Sequence, residues 1–523
     1  MDVPYLAAPP ACIPVDTGRQ LFVDDFLIER TSLTRVFHQA VPHPANPLLV
    51  PETDRETGDV PFAMPFSDGV WFDPADGKFK LWYAANEMWC TCYAESEDGL
   101  AWTRPDLNLV PGTNVVLDVP RDSSTVWLDH AEADPDRRFK MVQTVKERLS
   151  MREPLRGRAT DGFFTYSLFK SPDGVHWRHI ADSPSDQPIG DRSTVYRDPF
   201  RDVWVYSIRD IEWQLERPGG QQYRVRLYRE HPDLADGLTD LVSRTVPWTG
   251  ADDLDPPHPD YPDQPPQLYN LDATPYESLM VGLYSVHQGP ENEICETKRF
   301  QKRNQITLGF SRDGFHWHRP DRRPFVGARS QDPAAWDWGN IQSVGGGFLV
   351  VGDELWIYYS GRALGDHFWD GGGGTGLAVL RRDGFASVEA GPDGGILLTR
   401  PLRFAGRHLF VNLAAPHGHL RVAALAEDGT EIPGFGLSDC VPVSGDATRH
   451  AVKWRGHGSL ASLAGRPVRL RFELFNGALY SFWISRWPGG ESSGFVAAGG
   501  PGFQAATDLP TGPAETSNYG QSE

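Results

Sequence analysis

Two short segments carry the same acidic signature. Asp122 precedes Ser123-Ser124-Thr125-Val126-Trp127, and Asp191 precedes Arg192-Ser193-Thr194-Val195-Tyr196. Each acid leads hydroxyl, β-branched and aromatic residues of strand type. A turn-forming Asp that opens a strand is one reading of both, and a functional carboxylate is the other. Asp24-Asp25 sits inside Leu21-Phe22-Val23-Asp24-Asp25-Phe26-Leu27-Ile28. Successive strand side chains face opposite ways, so one of these two acids points inward and needs a partner or a task. Glu277 lies between Tyr276 and the apolar run from Leu279, where burial would raise a carboxyl pKa and fit it to donate a proton. Tyr269, Asn270, Trp336, Trp338, Asn340 and Gln342 are suited to stacking on sugar rings and binding hydroxyls. Arg209 and Arg362 follow strand ends and suit an anionic sugar group, and His367 borders a glycine run that would let a substrate approach. Carboxylates among aromatics meet the needs of glycosidic cleavage, in which one acid protonates the leaving oxygen and one carboxylate attacks or activates water. On this reading Asp25 or Asp24 is nucleophile or base, Asp191 holds the substrate or tunes its neighbour, Glu277 is the acid, and Asp122 is held in reserve.

The elements that must position these residues repeat along the chain. A strand, an Asp-Pro or Asp-x-x-Gly turn and a second strand recur: Val70-Trp71-Phe72-Asp73 with Phe79-Lys80-Leu81-Trp82, Val126-Trp127 with Phe139-Lys140-Met141, Val195-Tyr196 with Val203-Trp204-Val205, Leu268-Tyr269 with Met280-Val281, and Phe348-Leu349 with Leu355-Trp356-Ile357. A second element closes most units: Ser96-Glu97-Asp98-Gly99-Leu100-Ala101-Trp102, again at Ser171 to Trp177 and Ser311 to Trp317, with a degenerate copy at Asp383-Gly384. The Asp positions lie 75, 140 and 70 residues apart. The middle gap spans two units, and the third unit substitutes Tyr228 to Asp233 for its turn. Five hairpin-rich units without helical periodicity predict a five-bladed β-propeller, whose closure removes exposed sheet edges. Gln20 to Ile28 is expected to close the ring on the last blade. Ligands of such a fold sit at one end of the central channel, by the inner strands.

Beyond Pro401 the alternation becomes strictly two-residue, in His419 to Leu425, Val468 to Leu474 and Ala478 to Ile484, which predicts a β-sandwich. The expected organisation is an N-terminal extension over 1–19, a propeller over 20–400, a sandwich over 401–487, and a disordered Gly/Ser/Ala/Pro tail over 488–523. With 50 basic against 70 acidic side chains the net charge is −20, which argues against nucleic acid and anionic lipid as partners. No apolar run is long enough to span a membrane, and no signal peptide is recognisable, so a cytoplasmic location is expected. Five scattered cysteines make no disulfide framework. No cofactor or metal is required, although a structural cation in the channel is compatible with this layout. Gly371 to Gly376 matches G-x-G-x-x-G but precedes a short strand rather than a helix, so it reads as a loop or bulge.

Leu21 to Ile28, Ser311-Arg312-Asp313-Gly314-Phe315-His316-Trp317, Ser360-Gly361-Arg362 and Cys440 to His450 resemble segments of the glycoside hydrolase family 32, 43 and 68 superfamily, most closely family 32-like bacterial propeller-plus-sandwich proteins of uncharacterised function. The resemblance covers roughly Gln20 to Ile484 and implies a carbohydrate-acting propeller. The family 32 motif Trp-x-Asn-Asp-Pro-x-Gly is absent, and Arg197-Asp198-Pro199 falls in a hairpin turn common to the blades. A phosphorylase or transglycosylase with a cationic pocket is the alternative within this chemistry, and a non-catalytic sugar-binding propeller is the alternative outside it.

Overall fold

In the computed structural model all residues are described except 1–2, 59, 86–88, 146, 149–152, 155–163, 185–188, 210–223, 291, 299–301, 330–334, 363–371 and 512–523. The described chain is almost wholly β-structure, with short α-helices at Pro4–Ala7 and Asn292–Lys298. No helix is long and apolar enough to cross a membrane. Two compact units form. The first comprises Met1–Ala8, Phe37–Phe385 and Ala497–Gly500, and the second Pro9–Val36, Ala386–Val496 and Pro501–Glu523.

The first unit is a five-bladed propeller of antiparallel meanders. Blade 1 runs Val70–Asp73, Lys78–Ala85, Cys90–Ser96, Val115–Leu117, with Ala63–Met64 extending its inner strand. Blade 2 runs Arg121–Leu128, Phe139–Val145, Thr165–Ser171, Arg178–Asp182. Blade 3 runs Thr194–Asp198, Val203–Arg209, Val225–His231, Val246–Gly250. Blade 4 runs Gln267–Glu277, Leu279–Gly289, Arg303–Ser311, edged by bridges at His318 and Val326. Blade 5 has a broken inner strand, Asn340–Ser343 and Leu349–Val351, then Glu354–Arg362 and Gly373–Arg381. Its outer strand comes from the other end of the chain, Val41–Pro42. The ring therefore closes through residues just past 37 and not through Gln20 to Ile28.

The repeated Ser-x-Asp-Gly turns are wedges between blades. Asp98 Oδ1 accepts from the Leu100 and Ala101 N–H groups, and Asp173 and Asp313 do the same in their turns. The glycine carbonyl this exposes is taken by an aromatic side chain of the preceding blade: Trp82 Nε1 donates to Gly174 O at 2.6 Å, and Tyr358 Oη to Gly99 O at 2.7 Å. A Cβ on Gly174 would stand 2.4 Å from the Trp82 ring, so only glycine fits. Blade 3 lacks the motif and uses Asp233, which accepts from Ala235 and Asp236 N–H. Of the glycine run expected as a loop, Gly373 to Gly376 lie within the strand Gly373–Arg381 paired to Glu354–Arg362, Gly372 precedes it, and Gly371 lies outside the described residues. Its physical reason is Trp336, whose ring would meet a Cβ on Gly361 or Gly376 at 2.4–2.6 Å and stacks on Tyr359.

The second unit is built on the bent strand His408–Leu425, which pairs with Gly477–Ser485 in its first half and Arg469–Phe475 in its second. Ala386–Ala390 and Gly395–Thr399 add to these strands, so the boundary falls at Phe385 and not at 400. Gln20–Leu21 pairs with Gly477–Ser485, and Ile28–Thr31 with Gly395–Thr399, which draws this segment into the sandwich. A core of Phe22, Leu27, Val411, Leu420, Phe472 and Phe482 fills it.

The chain from 488 to Thr511, expected to be disordered, is ordered. Ala497–Gly500 returns to the propeller at the turn ends of three inner strands. Ala497 N donates to Pro275 O and Ala498 N to Phe348 O, while Ala498 O accepts from Phe72 N and Gly499 O from Val350 N, at 2.9–3.2 Å. A chain ended after Val496 loses these four bonds and three more, Ser493 N and Val496 N to Asp508 O and Ala506 O and Asp508 N to Gly494 O, so at about 1 kcal/mol each it is predicted to be at least about 4 kcal/mol less stable than one ended after Thr511. Urea unfolding of the two truncations checks this, and equal midpoints would contradict it.

Candidate active site

The end of the channel away from the hairpin turns gathers the polar groups of all five inner strands. Asp68, in the break of the blade 1 inner strand, makes a doubly hydrogen-bonded ion pair with Arg121 of blade 2 at 2.5 and 2.6 Å, both side chains fully buried. The adjacent Asp122 accepts from Ser123 N–H (2.7 Å) and, across to blade 3, from Arg192 N–H (2.9 Å). The Arg192 guanidinium lies 3.6 Å from Asp122 and 4.1 Å above the Phe66 ring. Arg226 donates to Arg192 O and to Tyr269 O, which ties blade 3 to blade 4. Asp272 Oδ2 accepts from Ser67 (blade 1, 3.1 Å), Asn270 (2.9 Å) and Ser343 (blade 5, 2.6 Å). Asn304 Nδ2 donates to Asn340 Oδ1 at 2.7 Å, and Phe66 N to Ser360 Oγ at 2.8 Å. The heads thus form a closed polar ring.

Its electrostatics are set by burial and by the cations gathered there. Burial pushes the Asp68 carboxyl up to about 6 against the pull of Arg121. Burial also works to raise Asp122, but Arg192 and the two backbone N–H groups outweigh it and hold this acid below the usual carboxylate range. Asp272 is raised by burial. Burial would raise the Tyr269 phenol, yet Lys302, Arg192 and Arg224 bring it down to about 6. Lys302 Nζ lies 3.3 Å from Tyr269 Oη, and the Arg224 guanidinium is 5.4 Å from the ring centre. His287, buried and facing Arg224 and Lys302, falls well below its ordinary value, and donor or acceptor, its Nδ1 meets Asn304 Oδ1 at 2.9 Å. Asn270 Oδ1 and Gln342 Oε1 are buried acceptors with no hydrogen-bond donor among the described residues, ready for ligand hydroxyls.

Of the residues singled out in the sequence, Asp122, Asp191, Tyr269, Asn270, Asn340, Gln342, Arg209 and Arg362 lie at this end. Asp191 is ion-paired with Arg209 and is the more open of the head carboxylates, 29% exposed against 12% for the Asp122 side chain. Arg362 is buried over the Phe62 ring at 5.6 Å. Trp336 is committed to packing on the blade 5 glycines, and Trp338 is half-buried beside it. His367 lies outside the described residues. Two expectations are corrected. Glu277 ends an inner strand 11 residues long, so it sits at the hairpin turn and not at the head, ion-paired to Arg382 at 3.1 Å. Asp24 and Asp25 belong to the second unit, where Asp24 caps Phe26 N–H and the exposed Asp25 pairs with Arg35; the bend at 24–27 replaces the expected strand. Arg197-Asp198-Pro199 is a turn in which Asp198 holds Arg201 at 2.7 Å.

Asp68 was not singled out. It precedes Val70-Trp71 by two residues where Asp122 and Asp191 precede their Val by four, and an even offset keeps a strand residue on the same face. Lys302, Arg224 and Arg226 lie at the starts of third strands, so their sequence has no link to the head motif. Trp89, 58% exposed at the head end of the Lys78–Ala85 and Cys90–Ser96 hairpin, is an unassigned aromatic platform. Among the described residues no three His, Cys, Asp or Glu side chains gather as a metal site would need.

No family model matches the chain, and no curated protein matches it. Among solved structures it is similar to a β-1,2-mannobiose phosphorylase from Listeria innocua (11% identity, 66% of this chain and 97% of that one, TM-score 0.41). It is similar also to a thermostable family-43 glycoside hydrolase (13%, 63% and 96%, TM-score 0.40) and to the GH32 β-fructofuranosidase BmSUC1 of Bombyx mori (11%, 85% and 95%, TM-score 0.35). At these identities and scores no residue role or activity is taken from them.

The cation-lowered phenol predicts a spectroscopic step. Tyr269 is neutral below about pH 6 and a phenolate above it, so its contribution to stability is absent below pH 6 and grows as pH rises from about 6 to 10. Difference absorbance of the full chain should resolve one phenol ionising near pH 6 that Tyr269→Phe removes. A first tyrosine ionisation only above about pH 9 would contradict this.

Proposed function

We propose that the propeller unit acts on a glycosidic bond at the head of its channel. The observation that carries this reading is the convergence of Asp68, Asp122 and Asp191 from three consecutive blades, in environments that drive two of them to opposite protonation behaviour. Such divergence is how acid and base roles are divided at neutral pH. Asp122, held ionised between Arg192 and Arg121, faces the positive charge that develops at an anomeric carbon as its bond breaks. Proton transfer falls to Asp68, whose carboxyl titrates near neutrality, and to the more open Asp191. Asn270 and Gln342 accept from sugar hydroxyls, and Trp89 offers a ring face.

Phosphorolysis is the second reading, favoured by the cations around Tyr269. It differs from hydrolysis in the acceptor of the glycosyl group and uses the same head.

Turnover by wild type, Asp122→Asn and Asp191→Asn, screened over aryl glycosides and natural oligosaccharides, tests the proposal. We expect wild-type turnover and a fall of about 10²–10⁴-fold in kcat for Asp122→Asn. Asp68→Asn is a poorer probe, because it strands the buried Arg121 at a cost of about 3–5 kcal/mol. Turnover that survives in Asp122→Asn, or sugar binding by calorimetry with no turnover of any glycoside, would overturn catalysis at this head.

A further inference from the structure

Phe66 and Arg192 both stand at the head in a backbone conformation that their side chains disfavour, with φ +47° and +55°. Bulky residues seldom enter this left-handed region, where glycine is at ease. Phe66 is the first central residue of a turn closed by Asp68 N, which donates to Pro65 O at 2.7 Å. With positive φ, that position usually carries Gly, Asn or Asp. Bonds to other blades hold both residues there. Phe66 N donates to Ser360 Oγ of blade 5 at 2.8 Å, and Arg192 N to Asp122 Oδ1 of blade 2 at 2.9 Å. Strain of this kind gathers where a side chain has a task.

The two side chains meet. The Arg192 guanidinium, from blade 3, lies 4.1 Å from the centre of the Phe66 ring, which belongs to the segment entering blade 1. Both residues are buried. Phe62 fixes Phe66 edge-on, with ring centres 5.9 Å apart and planes at 89°. Blade 2 stands between blades 1 and 3, and its first residues complete a circuit. Asp68, at the end of the Phe66 turn, pairs with Arg121. Asp122 follows Arg121 in the chain and lies 3.6 Å from the Arg192 guanidinium, which returns to Phe66. At 3.6 Å this ion pair is longer than a hydrogen bond, so Asp122 does not fix the plane of the guanidinium. An aromatic face under a flat cation does.

We propose that Phe66 is a positioning residue whose ring face holds the Arg192 guanidinium beside Asp122. The proposal rests on the catalytic reading of Asp122 and goes beyond it by assigning what fixes the counter-charge of that carboxylate. Arg192 acts on Asp122 twice, through its backbone N–H and through its charge. An aliphatic residue at position 66 fills the space but leaves the guanidinium free to turn away. Burial then raises the Asp122 carboxyl with less to oppose it. A lysine at position 192 brings the charge without the flat face.

The test compares wild type, Phe66→Leu, Arg192→Lys and the double variant as full chains. Leucine meets the same backbone cost at position 66, so the substitution isolates the ring. On an aryl glycoside that the wild type turns over, Phe66→Leu should lower kcat about tenfold at pH 6 with KM little changed. The acid limb of its kcat/KM profile, which needs Asp122 ionised, should move up by at least about half a pH unit. Arg192→Lys should move the limb the same way, and adding Phe66→Leu to it should move the limb no further. A ring that only packs would lower stability and leave the limb in place. A second arm needs no turnover. At pH 7 the fall in urea midpoint caused by Phe66→Leu should shrink at least about twofold in an Asp122→Asn background, whereas a purely structural ring gives the same fall in both. An unmoved acid limb in Phe66→Leu, or equal urea losses in the two backgrounds, overturns the inference. If Asp122→Asn has meanwhile abolished turnover, the glycoside reading stands without it. Coupled urea losses with no glycoside turned over uphold the positioning of Asp122 and sink the glycoside reading instead.

Discussion

Asp272 is the contact on which the head of the propeller depends. One carboxylate oxygen takes hydrogen bonds from blades 1, 4 and 5. Buried polar heads need partners, and most of these find them on a neighbouring blade. Ser123 Oγ reaches Ser193 O at 2.9 Å, Thr194 Oγ1 reaches Leu271 O, and Gly345 N reaches Ser67 O to return to blade 1. The ring fixes the height of every inner strand. It thereby sets Asp68, Asp122 and Tyr269 at one level without recourse to the loops beyond them.

At the other end the channel is held differently. Aromatic and turn contacts dominate there, with Asp73, Asp198 and Asp233 ordering turns and Trp82 and Tyr358 locking onto the next blade. Acids at that end are spent on turn N–H groups and on arginines, Asp73 on Arg138 of blade 2 and Glu277 on Arg382. At the head Asp68, Asp122 and Asp272 each bond to another blade, while Asp191 pairs with Arg209 of its own.

That distinction explains what the sequence made legible. Repeated hairpins and Ser-x-Asp-Gly turns set the blade number, because turn chemistry is local and recurs at a fixed spacing. Asp122 and Asp191 were recognisable because their segments repeat. Glu277 misled because an apolar run does not reveal which end of a strand it marks, and the blade 4 inner strand is 11 residues long. Asp24 and Asp25 misled because strand pairing with residues past 386 is non-local, as is the return of Ala497–Gly500. The glycines of 373–376 looked like a loop because their reason, the Trp336 ring, lies 40 residues upstream in a segment with no pattern linking the two. Lys302, Arg224 and Arg226 gather only through blade closure.

The central claim is that chemistry takes place at the ring of inner-strand heads. The most direct measurement is a crystal structure of Asp122→Asn with an oligosaccharide that the wild type turns over. The account predicts an anomeric carbon about 3–3.5 Å from the residue 122 side chain, with sugar hydroxyls donating to Asn270 and Gln342. A sugar bound on the sandwich unit, or at the turn end near Glu277, would contradict it.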